Sequence, residues 1–199
     1  MKIRIFQSRP VLKIKTMEIL DIVNKNDEVI ATASRVEVHK QGLIHRQVHI
    51  WVYNDKNQVL VHMRHKDKDN YPGLLDVAAG GHVSTGMDYL ETALKELGEE
   101  YGLNIKENEL KKIDKFYREH TDIITKSRFK LFDTVYLYQY NGEIENLDYQ
   151  KEEVEFLEWW PMKKFFDLGL LNEEEKKKFV PLIFSEEIKD VFQKIKKMI

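Results

Sequence analysis

The sequence predicts an α/β fold in which helices cover both faces of a mixed β-sheet, that is, an α/β/α sandwich. Strand-like segments lie before and after one central helix, and helical segments close the chain. With 199 residues, of which 42% are apolar, the chain is long enough for one well-buried domain and short for two. We therefore expect a single domain over residues 17–199, with an N-terminal hairpin (17–44), a core (45–160) and C-terminal helices (161–199).

Alternating or β-branched runs that flank polar turns indicate strands and hairpins. Two hairpins are expected before the central helix, joined by a short bridge over Val36–Leu43, and a short strand then leads into Gly80-Gly81. The predicted strands are Glu18–Asn24, Val29–Arg35, His45–Tyr53, Val59–Arg64, Leu75–Ala79, Lys112–Glu119, Arg128–Tyr140 and Val154–Trp160. Apolar spacing predicts the closing helices at Met162–Leu170 and Phe179–Met198.

Composition excludes several classes of function. Lys and Arg number 32 against 34 Asp and Glu, so no general basic field for nucleic-acid binding is present. The absence of cysteine excludes disulfides, thiolate zinc sites and cysteine nucleophiles. Apolar runs are too short to span a bilayer, and we expect a cytoplasmic protein without a membrane partner. Residues 1–16 are basic and contain no acidic side chain, which indicates a loosely attached extension.

The central segment, GGHVSTGMDYLETALKELGEEYGL, joins a glycine-rich turn to a helix that carries three carboxylates along one edge. Asp88 and Glu91 have the spacing of a capping box and Gly102 is a typical stop, so the helix is expected over 89–101. Glu96, Glu99 and Glu100 then lie together on its surface. Because like charges at this spacing repel, a cation between them is favoured, and oxygen ligands suit Mg²⁺, with Mn²⁺ as an alternative.

This segment resembles the Nudix box: Gly, five residues, Glu, seven residues, Arg-Glu, an aliphatic residue, any residue, Glu-Glu, any residue, Gly and an aliphatic residue. Gly81 takes the first position, and the later ones are taken by Glu96, Leu97, Glu99, Glu100, Gly102 and Leu103. Met87 stands where the family has its first glutamate, and Lys95 where it has arginine. Since these two family residues normally pair, losing both leaves no orphan charge. The resemblance implies a Nudix fold, with the box as a loop-helix-loop.

The resemblance also implies a hydrolase that cleaves a diphosphate linkage in a small molecule with the help of Mg²⁺. The implied metal positions are the Gly80 carbonyl with Glu96, Glu99 and Glu100. The general base is either Glu99, inside the box, or a carboxylate from a later loop, for which Glu153 and its neighbour Glu152 are candidates. Glu99, Glu100 and Glu153 are therefore the candidate catalytic residues, and a homodimer is left open.

Cationic side chains near the glycine-rich turn are candidates for contacts with the diphosphate. Arg64 is favoured because it ends a strand that leads toward the turn, and a guanidinium matches phosphate oxygens in a bidentate way. Arg46 and Lys66 are weaker candidates, as is Lys68.

Residues His45 to Val83 resemble the Nudix subgroup related to isopentenyl-diphosphate isomerase. That group holds a metal with three histidines and two glutamates, and His39, His45 and His82 stand at the histidine positions. Gly80 occupies the position of its cysteine, and Ser127–Phe132 contains no carboxylate, so isomerase activity is expected to be lost. The alternatives are a non-catalytic module that binds a nucleotide or diphosphate and, less favoured, an isomerase.

Overall fold

The computed structural model describes residues 18–68, 70–121 and 128–199. The extension predicted over residues 1–16 lies outside the described residues. The strands are β1 (Ile19–Val23), β2 (Val29–Ser34), β3 (Ile44–Tyr53), β4 (Gln58–Arg64), β5 (Leu75–Asp76), β6 (Ala79–His82), β7 (Lys111–Thr121), β8 (Arg128–Gln139) and β9 (Val154–Pro161). The helices are α1 (Arg35–Gln41), α2 (Tyr89–Tyr101), α3 (Lys163–Phe166), α4 (Glu173–Lys177) and α5 (Glu186–Lys196). Short 3₁₀ turns cover Glu107–Glu109, Ile144–Asn146, Leu168–Leu170 and Pro181–Phe184.

The large sheet is mixed and has the strand order β5-β4-β3-β8-β7, with β6 paired to β3 and β9 paired to β4. The β3–β8 pair is parallel, whereas β7 runs antiparallel to β8. β3 and β4 meet only at Tyr53 and Val59, next to their connecting turn. Beyond that point β3 pairs with β6 and β4 pairs with β5 on the edges that face each other, while β9 pairs along the opposite edge of β4. The sheet is therefore open between β3 and β4, beside the glycine-containing strand β6.

Helices cover both faces of this sheet, which confirms the predicted α/β/α sandwich. On one face, Val48 and Ile50 of β3 pack with Ala93 and Leu97 of α2. On the other face, Trp51 of β3 and Val135 of β8 pack with Phe165 of α3 and with Phe192 and Ile195 of α5. Each fully buried side chain of this size stabilises the fold by about 1.5–3 kcal/mol.

The central helix α2 has the predicted bounds. The Asp88 carboxylate accepts a hydrogen bond from the Glu91 amide, and the Glu91 carboxylate accepts one from the Asp88 amide. Gly102 ends the helix with a left-handed φ of 69°, a conformation that glycine adopts without a steric penalty. Because both ends are fixed by local bonds, the carboxylate-bearing edge has a defined direction.

Several boundaries differ from the predictions. The predicted bridge Val36–Leu43 is largely helix α1, which the Ser34–Glu37 capping box begins. β3 and β4 are paired at the turn and are not a continuous hairpin. The predicted helix Met162–Leu170 is α3 followed by a 3₁₀ turn, and Phe179–Met198 is a 3₁₀ turn followed by α5.

Local chemistry explains the later boundaries. Pro181 lies at the start of the 3₁₀ turn, and Ser185 accepts a hydrogen bond from the Ile188 amide, so that α5 begins only at Glu186. Helix α4 was not predicted; Asn172 caps it, and it buries none of its own residues. Within the described residues, none of the helices combines the length and apolar character that a membrane span requires.

Candidate active site

A cavity of about 700 Å³ lies where β3 and β4 separate. Its wall includes the carboxylate edge of α2, the glycines of β6, the segment after β4 and the residues before β9. Side chains of β3 and β7 also line it. This volume is in the range of small-molecule binding sites in proteins.

The three box carboxylates all line this cavity, as the helical spacing predicts. The pKa of Glu96 is raised to about 7, chiefly by burial; Lys95 opposes this shift, and the charges of Glu99 and Glu153 add to it. Burial raises the pKa of Glu100 well above its ordinary value, and Glu96 adds to this shift. Glu100 Oε2 is buried and has no hydrogen-bond partner among the described residues. The cluster therefore carries acidic groups whose charge the described residues only partly compensate.

Glycine is required at two positions of β6 because side chains would collide with the site. A Cβ at Gly81 would lie 2.5 Å from Glu96 Oε1. A Cβ at Gly80 would lie 2.3 Å from the Val48 carbonyl oxygen and 3.0 Å from the His49 ring. The Glu96 carboxylate therefore rests against the bare backbone of Gly81.

The two departures from the box have different surroundings. Met87 packs against the apolar cluster under α2, so an apolar side chain suits this position. Lys95 Nζ lies 2.8 Å from Glu99 Oε2 and 3.7 Å from Glu96 Oε1. Lys95 is therefore a cation that touches two of the three carboxylates, on the outer side of the cluster.

The predicted substrate-binding cations do not all reach the cavity. Arg64 lines it and donates to the Asn70 carbonyl from Nε (3.2 Å) and Nη2 (2.9 Å). Arg46 lies outside the lining and forms an ion pair with Asp27 at 2.6 Å. Lys66 is exposed and also lies outside the lining. Lys68, by contrast, lines the cavity and pairs with Glu153, so its position is better than the sequence suggested.

Both loop candidates for the general base, Glu152 and Glu153, line the cavity. The charge of Glu153 acts on Glu96 and on Glu100, which places it close to the box carboxylates. Because Lys68 holds the Glu153 carboxylate, this side chain has a fixed position at the site.

His39, His45 and His82 also converge, with one ligand atom of each within 4.8 Å of the others. His39 Nε2 and His82 Nε2 are 3.2 Å apart, and His45 Nδ1 donates to the Leu43 carbonyl (3.0 Å). His45 Nε2 is buried and has no partner among the residues that the structure describes. Burial lowers the pKa of His39 to about 4 and that of His82 well below its ordinary value. Burial also lowers the pKa of His45, so the neutral ring, the form in which imidazole binds metals, is favoured at all three positions.

Several residues of the cavity were missed by the sequence analysis, notably Gln47, His49 and Arg118. The sequence did carry a signal for these residues. Each is a polar side chain at a strand position where the alternation of the strand predicts a side chain on a covered face of the sheet. Asp133, also missed, is fully buried behind them and pairs with Arg118.

The box residues fit a hard divalent cation. Three carboxylates and a backbone that approaches closely at glycine supply oxygen ligands, and Glu100 Oε2 lacks a partner within the described part of the chain. A cation would favour the charged forms that burial disfavours. Glu96, Glu99, Glu100 and the Gly80 carbonyl are the residues that would hold it.

Comparison with known proteins agrees with this architecture. The "Nudix hydrolase 3" of Arabidopsis thaliana is 34% identical over 152 residues, which are 74% of this chain and 20% of the relative. A Clostridium acetobutylicum Nudix hydrolase is 35% identical over 140 residues, 69% of this chain and 66% of the relative. The Escherichia coli Nudix hydrolase YfcD is 42% identical over 91 residues, 46% of this chain and 51% of the relative. The chain thus matches less than two thirds of the length of these relatives.

Solved structures show the same fold. A Deinococcus radiodurans protein has a TM-score of 0.62 at 20% identity, covering 88% of this chain and 98% of its own. The E. coli dihydroneopterin triphosphate pyrophosphohydrolase has a TM-score of 0.51 at 14% identity, covering 74% of this chain and 92% of its own. The family model described as the NUDIX domain matches residues 43–183. The chain belongs to the Nudix family.

Proposed function

We propose that this Nudix domain is a Mg²⁺-dependent pyrophosphohydrolase that cleaves a diphosphate linkage in a small phosphorylated metabolite, such as a nucleoside diphosphate derivative. The observation that carries the proposal is the placement of Glu96, Glu99 and Glu100 together in one cavity, with a buried and unpartnered oxygen on Glu100. The relatives named as Nudix hydrolases support the same reaction class.

Each part of the site has a role in this reaction. Glu96, Glu99, Glu100 and the Gly80 carbonyl would hold Mg²⁺, which would supply positive charge to the diphosphate and polarise the attacking water. Arg64 and Lys68 exchange their present partners, the Asn70 carbonyl and Glu153, for phosphate oxygens.

Two carboxylates are candidates for accepting the proton of the attacking water. Glu153 lies in the cavity and would be released when Lys68 turns to the substrate. Glu99 has a more exposed carboxylate that pairs with Lys95. Replacement of the true base lowers kcat with little change in KM, because the proton is transferred only in the transition state.

The test is incubation with a panel of diphosphate-linked metabolites in the presence of Mg²⁺, followed by chromatography of the products. Hydrolysis of at least one compound that requires Mg²⁺ and is lost in Glu99→Gln supports the proposal. Glu91→Gln is the matched control, since it removes a carboxylate from the same helix while glutamine retains the capping geometry. Activity that persists without divalent metal, or in Glu99→Gln, would contradict the proposal.

A non-catalytic binding module is the second candidate, and the position of Lys95 is the observation that favours it. A lysine that already touches Glu96 and Glu99 offers one point charge where the family has the planar fork of arginine. This candidate predicts that Mg²⁺ and a nucleoside diphosphate raise the melting temperature while no panel member is hydrolysed.

The isomerase-related resemblance gives a third, weaker candidate. The convergence of His39, His45 and His82 favours a second metal at nitrogen ligands. The backbone at Gly80, where the isomerases carry cysteine, leaves no space for a side chain, because a Cβ would meet the Val48 carbonyl. Isomerase activity predicts an allylic product from isopentenyl diphosphate, and its absence would exclude this candidate.

A further inference from the structure

The sheet face that α3 and α5 cover is divided into an apolar half and a polar half. Every second residue of β3, β7 and β8 points to this face. In the apolar half these residues are Trp51, Phe116 and Val135, which pack in the cluster under α5. In the polar half the same alternation carries Gln47, Arg118 and Asp133. A covered face normally carries apolar side chains, so the polar half needs a separate explanation.

A buried ion pair dominates the polar half. Arg118 is 5% exposed and Asp133 is fully buried. Arg118 Nε donates to Asp133 Oδ2, and Nη1 lies 3.3 Å from His120 Nδ1. Within the described residues, Nη2 of Arg118 has no acceptor. Burying both charges costs several kcal/mol per ion, so the pair is not explained by stability alone.

The pair is directed toward the cavity. Arg118 belongs to the cavity wall, together with Gln47 and His49, whereas Asp133 lies behind it. Asp133 therefore fixes the guanidinium from the protein side and leaves donors of Arg118 facing the cavity. Donors without a protein acceptor suit a ligand group rich in acceptors, and the planar guanidinium binds phosphate or carboxylate with two parallel bonds.

We propose that Arg118, oriented by Asp133, binds an acidic group that the substrate carries beyond its diphosphate. This inference rests on the proposed function and names its substrate class. Arg118 lies three strands from Gly80 in the order β6-β3-β8-β7, roughly 14 Å across the sheet. A diphosphate held at the box is too short to reach it, so the contact is made by a phosphate or carboxylate on the distant part of the substrate.

Two matched pairs of compounds test this inference, because each pair differs by one phosphate away from the diphosphate. They are coenzyme A with dephospho-coenzyme A, and NADP⁺ with NAD⁺. Calorimetry with Mg²⁺ on a Glu99→Gln background measures affinity without turnover, and hydrolysis is measured separately with Glu99 present. We expect the phosphorylated member of at least one pair to bind about 10- to 100-fold more tightly, the range for a charge-assisted hydrogen bond.

Arg118→Lys keeps a charge beside Asp133 but removes the planar fork, and it should abolish most of this preference. If that variant is unstable, Arg118→Met with Asp133→Asn removes both charges and should have the same effect. Lys130→Met is the matched control, since Lys130 is exposed on β8, pairs with Glu119 and lies outside the cavity. Circular dichroism confirms that each variant is folded.

The outcomes are separable. Equal affinity within both pairs, no binding of any of the four compounds, or a preference that survives the replacement of Arg118 would overturn this inference. Absence of hydrolysis for the whole diphosphate panel would instead overturn the proposed function. A preference lost in Arg118→Lys and kept in Lys130→Met supports the inference in either case.

Discussion

The structure contains two groups of candidate metal ligands, the carboxylates of α2 and the histidines His39, His45 and His82, of which His82 lines the same cavity as the carboxylates. Burial shifts the pKa values of the two groups in opposite directions. On α2, burial raises the pKa of Glu96 and of Glu100, which favours the protonated carboxyl. In the histidine group, burial lowers the pKa of His39 and of His82, which favours the neutral ring. In the absence of a bound cation, burial therefore disfavours the charged forms of Glu96, Glu100, His39 and His82.

This difference in pKa shifts indicates that the histidines and the carboxylates suit different cations. A neutral imidazole is already a ligand for a transition metal, and binding releases no proton. The carboxyls must ionise, and only a nearby positive charge makes that favourable in a buried site. Ionisation of the carboxyls is thus coupled to the binding of a hard cation, while the histidines already have their metal-binding, neutral form in the metal-free protein.

The largest expected difference between the two groups is in hydrolysis. Glu100→Gln removes a buried oxygen ligand and should lower kcat/KM on the order of 10²- to 10³-fold, the effect of losing one preorganised electrostatic contact. His39→Gln should change kcat/KM by less than about 3-fold, since a substitution away from the reacting atoms perturbs the site by roughly 0.5 kcal/mol. Steady-state kinetics on any hydrolysed panel member provides the measurement. A larger loss of kcat/KM in His39→Gln than in Glu100→Gln would indicate that the histidines, and not the box carboxylates, have the catalytic role.

The next effect concerns the cations beside the carboxylates. Arg64→Met removes a guanidinium from the cavity and should lower kcat/KM about 10- to 100-fold, because a charged hydrogen bond to phosphate is lost. Lys66→Met is the control two residues away, and its exposed side chain lies outside the cavity. Equal effects of the two substitutions would show that the overall charge of this loop matters and the position of Arg64 does not.

A third effect concerns Gly80, which lies between the two groups. Gly80→Ala should destabilise the fold by about 1–3 kcal/mol, since the new methyl group overpacks against the Val48 carbonyl. Gly98→Ala is the contrasting variant: its Cβ would meet only Asn104 Oδ1, at 3.4 Å, and alanine should stabilise α2 by about 0.5–1 kcal/mol. Chemical denaturation measures both. An unchanged free energy of unfolding in Gly80→Ala would contradict the close approach of β6 to β3.

Local patterns made much of this molecule predictable. The capping box of Asp88 and Glu91 and the stop at Gly102 gave the bounds of α2, because capping depends on residues a few positions apart. The spacing of Glu96, Glu99 and Glu100 placed them in one cluster for the same reason. Helix α1 was missed because Val36 and Val38 favour a strand, although Ser34 and Glu37 carried a capping signal.

Long-range contacts were not predictable in the same way. The separation of β3 from β4 depends on β6 and β5 pairing with the edges of these strands that face each other, which no local pattern indicates. Arg118 of β7 contacts Asp133 of β8 because of the register between the two strands, which the sequence does not reveal. Arg46 was predicted near the substrate from its position in the chain, and only the fold shows that its guanidinium forms an ion pair with Asp27.

A separate prediction, on stability and not on activity, is a pair of opposite pH dependences in the metal-free protein. The folded-state pKa of Glu96, about 7, exceeds the ordinary 4.5, so its contribution to stability is present at acid pH and is lost as the pH rises from about 4.5 through 7. The pKa of His39, about 4, lies below the ordinary 6.5, so its contribution is present above pH 6.5 and is lost as the pH falls through about 4.

Difference curves isolate the two contributions. The free energy of unfolding is measured with EDTA between pH 4 and pH 8 for the unaltered chain, Glu96→Gln and His39→Gln. Relative to Glu96→Gln, the unaltered chain should lose stability as the pH rises, and relative to His39→Gln it should gain stability. Two curves with the same slope would mean that burial does not act oppositely on the two groups.

The most direct test of the central claim is to locate a metal ion. Crystals soaked in Mn²⁺ give an anomalous signal that marks the ion without reference to activity. We expect a peak within coordination distance of the Glu96, Glu99 and Glu100 carboxylates, at the end of the cavity next to Gly80. A peak at His39, His45 and His82 alone, with none at the carboxylates, would contradict it.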